Sequence, residues 1–336
     1  MPRIDYDEIK GKFAEFVETW KTKDSAKLDG LVVPQVSCLI SAAPNANDEW
    51  DKLIGIRHFV ETYPKTDVLQ LAIYCYACRL NGNEAQMAAH VICESLNYVD
   101  GQEEMDAFYY AIIAAAHWVK SDEGWKMDEI RLDVYPFIGN LREYFEQTWY
   151  FGSKLAEAVD GVRLPAIVGE YDLPWVRLPE AEDVLTEIEQ IKEACAKKFL
   201  GADYLVNDLR ITARSKHITT NAVRFGVDQG RRELVSALRY KRQRDRYWAH
   251  PYRFEDIEMN EDMTRAICRI YRVFGWKQRN HEYVWTRSNV NIEHTCNCGY
   301  QEFVKEDGEW RVADGYLKLG IYEVGPYSET YYGDKI

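Results

Sequence analysis

The first thing legible along the chain is the spacing of its apolar residues. Between positions 6 and 31, Ile9, Phe13, Phe16, Val17 and Trp20 recur at helical intervals. The polar stretch Lys21-Thr22-Lys23-Asp24 then turns the chain into a short second helix near 26–31. Pro34 ends that bend, residues 36–40 read as a short strand, and a third amphipathic helix over 50–63 stops at Pro64. Four strand-like runs follow, 68–80, 84–98, 106–120 and 125–135, joined by Asn81-Gly82-Asn83, by an acidic loop at 100–104 and by a tight acidic turn. Three helices and then a β-meander predict an α+β domain.

The run 111–116 is rich in alanine and would be helical by propensity, but its place between two turn signals favours strand. Both of its alternating faces are apolar, with Tyr109, Ile113 and Ala115 on one and Tyr110, Ile112 and Trp118 on the other. An antiparallel strand of that kind is covered twice, here by the helices on one side and by a partner sheet on the other.

The pattern then starts again. The string VKSDEGWK at 119–126 is echoed by VKEDGEWR at 304–311, and the offset that sets Trp125 on Trp310 also sets Asp122 on Asp307 and Leu132 on Leu317. Both strings have the grammar of a β-hairpin with a short glycine loop. A helical stripe of Leu185, Ile188, Ile191, Ala194 and Cys195, counted from 181, leads to a turn at Gly201-Ala202-Asp203. A short strand at 218–223, a helix at 229–238 and strands at 246–257, 263–276, 283–304 and 310–324 complete the second series. The chain divides into a first domain at 1–140, an ordered, aromatic strap at 141–180 and a second domain at 181–336.

Composition narrows the function classes. A length of 336 residues suits two domains with a core each. A net charge of −13, with 46% hydrophobic and 29% charged residues, argues for a soluble globular protein and against nucleic acid as a bulk partner. Neither a signal-like N-terminus nor a run of membrane length is present, so a cytoplasmic protein without a membrane partner is expected. The 8 cysteines sit mostly in apolar stretches and read as buried free thiols.

Taken together, the helix FxxFVETWKTKDSAKL at 13–28, the Gly55-x-x-x-Phe59 helix and the two Gly-Trp hairpins resemble the SnoaL-like branch of the nuclear transport factor 2 (NTF2-like, cystatin-like α+β) superfamily. The resemblance implies two NTF2-like domains, each with three helices against a strongly curved antiparallel sheet, paired as an intrachain pseudo-dimer through the outer sheet faces. It also implies a cone-shaped pocket for a small, mainly apolar or cyclic molecule. Dehydratases and isomerases of the family work without a cofactor, so none is expected, while other members only bind a ligand or serve as scaffolds. The family's carboxylates, in a Tyr-Asp pair near the end of the first helix or as an acid opening the first strand, are not matched. Trp20-Lys21, Phe199-Leu200, Pro34-Gln35 and residues 214–217 stand there instead.

Within that frame, His250 in Tyr247-Trp248-Ala249-His250-Pro251 is similar to a strand histidine that acts as base in dehydratases of the family. A neutral imidazole suits proton abstraction next to a carbonyl; a satisfied structural histidine is the plainer reading. Alternation on the strand at 283–304 puts Glu293, Thr295 and Asn297 on one face and His294, Cys296 and Cys298 on the other. Asn297 and Glu293 are candidates to orient substrate, and His294 and Tyr271 to line the pocket, with the inward face left open by parity alone. His294-x-Cys296-x-Cys298 lacks the fourth ligand and the spacing of a structural zinc site, so no metal is assigned. In the first series His90, His117, Tyr74 and Tyr109 are candidate ligand-binding residues, against a plainer reading as core. The basic run 239–246 is a solvated face or a recognition element for an anionic substrate group.

Overall fold

A computed structural model describes residues 2–41, 52–100, 106–138, 141–145, 165–220, 228–229, 232, 235–236, 245–279 and 295–319. Contacts divide the chain into two compact units, the first running to Val184 and the second starting at Leu185.

In the first unit, helix α1 (Pro2–Thr22) buries the stripe of Ile9, Phe13, Phe16, Val17 and Trp20. A 3-10 turn at Ser25–Gly30 leads to strand β1 (Val32–Ile40) and helix α2 (Lys52–Thr62). The meander follows as β2 (Val68–Asn81), β3 (Glu84–Asn97), β4 (Asp106–Ser121) and β5 (Gly124–Ile138), so the alanine-rich run is strand. The sheet order is β1-β5-β4-β3-β2, antiparallel except where β1 runs parallel to β5. Bulges interrupt the long strands: the register skips Tyr74 in β2 and Asp128 in β5. Bulges of this kind bend a sheet and raise its twist, which is how strands of such length curl around helices.

The face turned to the helices carries Tyr110, Ile112, Ala114, Ala116 and Trp118 of β4, all buried. Tyr6 and Phe13 of α1 meet Tyr76 of β2 with ring centroids 6.1 and 6.3 Å apart, and the Trp20 indole donates to the Tyr63 carbonyl at 2.6 Å. Phe108, Tyr110, Phe145 and Tyr144, the last at the end of helix α3 (Leu141–Tyr144), pack together around Tyr63 and fill one end of this interior.

The opposite face was expected to meet a partner sheet. Among the described residues of the first unit it meets the chain's own strap, with its short helices α4 (Gly169–Asp172) and α5 (Pro174–Arg177). The reason lies in polar groups set among the apolar ones. Gln86 donates to the Asp172 carbonyl, Arg131 to the Ala166 carbonyl at 3.0 Å, and Arg79 to the Leu178 and Pro179 carbonyls at 2.7 Å each. Asp133 accepts the Ala166 N–H at 2.6 Å, and Arg177 pairs with Glu129 at 3.0 Å.

The second unit opens with helix α6 (Glu187–Asp203) rather than at 181, because Thr186 and Glu189 form a reciprocal capping box there. Helix α7 (Asn207–Thr212) and the two-residue strands β6 (Thr219–Thr220) and β7 (Asp228–Gln229) follow, so Gln229 sits in a strand where a helix start was expected. The sheet is built from β8 (Asp245–Ala249), β9 (Tyr252–Met259), β10 (Arg265–Arg279), β11 (Thr295–Glu306) and β12 (Glu309–Leu319). Its order is β12-β11-β10-β8, with β9 also on β10. The strand expected over 246–257 is thus two strands, since Pro251 has no N–H for a ladder and the His250 N–H is drawn away to Asp203. The segment that carried the expected start of the third long strand, 283–294, lies outside the described residues.

Cys38, Cys75, Cys78, Cys93, Cys195 and Cys268 are buried thiols. No helix among the described residues is long and apolar enough to cross a membrane.

Candidate functional site

Helix α6 puts Cys195, Phe199 and Asp203 on one stripe at intervals of four, and all three are buried. Asp203 is the last helical residue. Its carboxylate meets His250 twice: Oδ2 accepts the His250 backbone N–H at 3.1 Å, and Oδ1 takes the ring Nδ1 in a short contact. The Asp203 side chain is fully enclosed, and His250 is 4% exposed. The imidazole stacks on Phe199, with centroids 5.3 Å apart, and Phe199 in turn meets Tyr252 at 4.6 Å.

This geometry chooses a tautomer. A carboxylate accepts only, so the Nδ1 that faces it carries the proton and Nε2 is left as the basic nitrogen. Two bonds to one carboxylate also hold the ring in place. An enclosed Asp-His pair is therefore competent as a general base.

Asp203 is the residue that sequence reasoning missed. The sequence reads as a turn there, and the positions that the resemblance compares with the family's carboxylates hold Phe199-Leu200 and residues 214–217. A helical count from Cys195 and Phe199 would have found it, because Asp203 continues their stripe by one more turn.

Of the other candidates, Asn297 stands opposite Arg272 on β11, at the same parity as Gln301 and Phe303, which are buried toward α6 where Lys198 donates to the Gln301 side chain at 2.6 Å. Tyr271 stands opposite Cys298, at the other parity. The side chains of Asn297 and Tyr271, and Glu293 and His294 altogether, lie outside the described residues.

In the first unit the candidates do not converge. His90 pairs in register with Ile113, and His117 with Gln86, four positions further along the sheet, or about 13 Å at strand spacing. Both are buried on the outer face, the face that also carries Gln86 and Asp133. His117 Nδ1 contacts Asp128 at 2.7 Å, because the bulge at Asp128 breaks the alternation of β5. Tyr109 shares the outer parity, opposite Glu94, and Tyr74 is the bulged residue of β2. Among the described residues no group of three or more His, Cys, Asp or Glu could hold a metal ion.

No family model matches the sequence, and no curated protein matches it. Solved structures do overlay on part of it. An NTF2-like superfamily protein from Salmonella enterica is 14% identical over 39% of this chain and 92% of its own, with a TM-score of 0.34. An NTF2-like protein with a cystatin-like fold from Novosphingobium aromaticivorans is 13% identical over 39% and 81%, with a TM-score of 0.32. A candidate scytalone dehydratase from the same species is 15% identical over 41% and 89%, with a TM-score of 0.34. Overlays at this level carry no argument about chemistry. The class follows from the chain's own architecture: an α+β fold in which helices close on a curled antiparallel sheet, as the NTF2-like resemblance implied.

Proposed function

We propose that the second unit is a cofactor-independent lyase or isomerase that abstracts a proton from a small molecule held between α6 and its sheet. His250 Nε2 is the general base, and Asp203 is the positioning residue that sets its tautomer. Asn297, and Glu293 beyond the described residues, are assigned to orient the substrate carbonyl. The observation that carries this reading is the enclosed, doubly bonded Asp203–His250 pair. A buried carboxylate placed on a histidine in this way stabilises the charge that appears only during proton transfer.

The first unit favours a different role. One end of its helix-facing interior is filled by its own aromatic rings, and His90 and His117 sit on the outer face. We assign it as a scaffold, related to the second unit by duplication of one domain.

The test is turnover of hydroxylated cyclic ketones and related β-hydroxy carbonyl compounds by the wild type, His250→Ala and Asp203→Asn. A general base contributes about 10²–10⁴-fold, and both variants are expected to lose activity on that scale. Equal rates in all three proteins would remove the pair from the mechanism.

A further inference from the structure

Arg214 lies just beyond α7, where its strand bridge to Val312 is flanked by two backbone bonds: Ser215 N–H to the Val312 carbonyl at 2.8 Å and Val312 N–H to the Ala213 carbonyl at 2.9 Å. Its position is therefore fixed by main chain. Arg214 is 3% exposed, and its Nη1 donates to the Arg210 carbonyl. Nε is buried without an acceptor, and no carboxylate among the described residues pairs with Arg214. Burial first, and then the charge of the equally buried Arg210, push Arg214 down to about 9, while the neutral Cys195 thiol, itself raised to about 12 by burial, is the other group close to it.

An enclosed cation without a counter-ion is costly, and proteins normally neutralise it with a carboxylate or a bound anion. The location says which is meant here. Cys195 lies near Arg214 and Tyr252, Tyr252 meets Phe199 with ring centroids 4.6 Å apart, and Phe199 stacks on His250. Arg214 and the Asp203–His250 pair therefore lie along one interior, under one helix. With Nη1 committed to a carbonyl, the edge that remains is Nε with Nη2, two parallel N–H groups at the spacing of two carboxylate oxygens.

We infer that the Nε–Nη2 edge of Arg214 binds the carboxylate of the ligand of the second unit, so that this ligand is a small cyclic or aromatic carboxylic acid. The inference rests on the proposed site for its connection to catalysis, but its binding half stands alone. Gly201 supports the arrangement: a Cβ there would come within 3.2 Å of Arg210 Cγ and 3.0 Å of Leu209 Cβ, so the glycine lets α7 pack close enough to α6 to bring both arginines inside.

The experiment is calorimetric titration with benzoate and with neutral benzamide, applied to the full-length wild type, Arg214→Met, Arg214→Lys and His250→Ala. Benzoate is expected to bind the wild type and His250→Ala alike, and to bind Arg214→Met about tenfold more weakly or worse, the scale of one charge-assisted bidentate contact. Arg214→Lys keeps the charge and loses the fork, so it too is expected to bind benzoate more weakly than the wild type. Arg214→Met removes an unneutralised charge and is expected to fold at least as stably; should it not, the Lys variant decides. Equal benzoate affinity in the wild type and the Arg214 variants, equal binding of benzamide, or binding of inorganic phosphate in place of benzoate overturns the assignment. Benzoate binding that depends on Arg214 in a protein without turnover leaves the anion site standing and refutes only the proposed activity.

Discussion

The indole Nε1 of Trp125 donates to Asp5 Oδ1 at 2.9 Å, joining the start of the last long strand of the first unit to the first turn of α1. Lys120, directly across the hairpin, reaches the same carboxylate at 2.6 Å and lies 5.8 Å from the indole centroid. The second unit contains the same clasp. Trp310 and Lys305 both donate to Glu187 in the first turn of α6, with Lys305 5.9 Å from its indole. What the two Gly-Trp strings encode is a tie between hairpin and helix.

The clasps make stability acid-sensitive. Burial pushes the Asp5 carboxyl up, but the Lys120 and Trp125 bonds outweigh it and hold the group below its ordinary 3.8; Glu187 is held down by Lys305 and then Trp310. A depressed carboxyl stabilises the fold fully above its unfolded value, and that contribution is lost as pH falls through the folded one. Asp5→Asn is expected to cost about 1.5–3 kcal/mol at pH 7, the scale of hydrogen bonds to a charged group. Its urea midpoint should also vary less than that of the wild type between about pH 5 and 2. An unchanged midpoint at pH 7 would contradict the role given to the clasp.

Leu205, just past α6, holds a left-handed φ of 57° while 43% exposed. The conformation costs a non-glycine residue roughly 1–2 kcal/mol, and glycine's extra unfolded-state freedom takes back about half of that. Leu205→Gly is therefore expected to raise stability by about 0.5–1 kcal/mol, read as a higher denaturant midpoint with an unchanged slope. A lower midpoint would show that the leucine side chain contributes packing here.

Asp133 is 2% exposed and accepts the Ala166 and Ile167 N–H groups at 2.6 and 3.4 Å. Asp133→Ala leaves those donors unsatisfied, at a cost of about 1–3 kcal/mol. The loss should be local: amide hydrogen exchange at 166–178 is expected to speed up while α1 exchanges as in the wild type. Identical exchange at 166–178 would mean that the strap is held by its apolar contacts alone.

Much of the fold was written in period. The stripe of α1, the doubly apolar β4 and the repeated hairpins are consequences of burial, and burial leaves a pattern along the chain. The strap's order was legible from its aromatic residues but its seat was not, because Gln86, Arg131 and Asp133 hold it by bonds to backbone, for which no particular partner residue is needed. His117 meets Asp128 only through a bulge that strict alternation does not foresee. The site was half legible: His250 stood out beside its proline, whereas Asp203 is 47 residues away and is joined to it only by the fold. Arg214 stands where the family resemblance looks for an acid opening a strand, and nothing in its neighbours announces that a charge there is enclosed.

The account turns on Asp203 making a base of His250. The most direct measurement is the ¹⁵N spectrum of the His250 ring at neutral pH in the wild type and in Asp203→Asn. We expect the proton on Nδ1 in the wild type, and loss of that preference in the variant. A proton resident on Nε2 in the wild type, or spectra that do not differ between the two proteins, would contradict it.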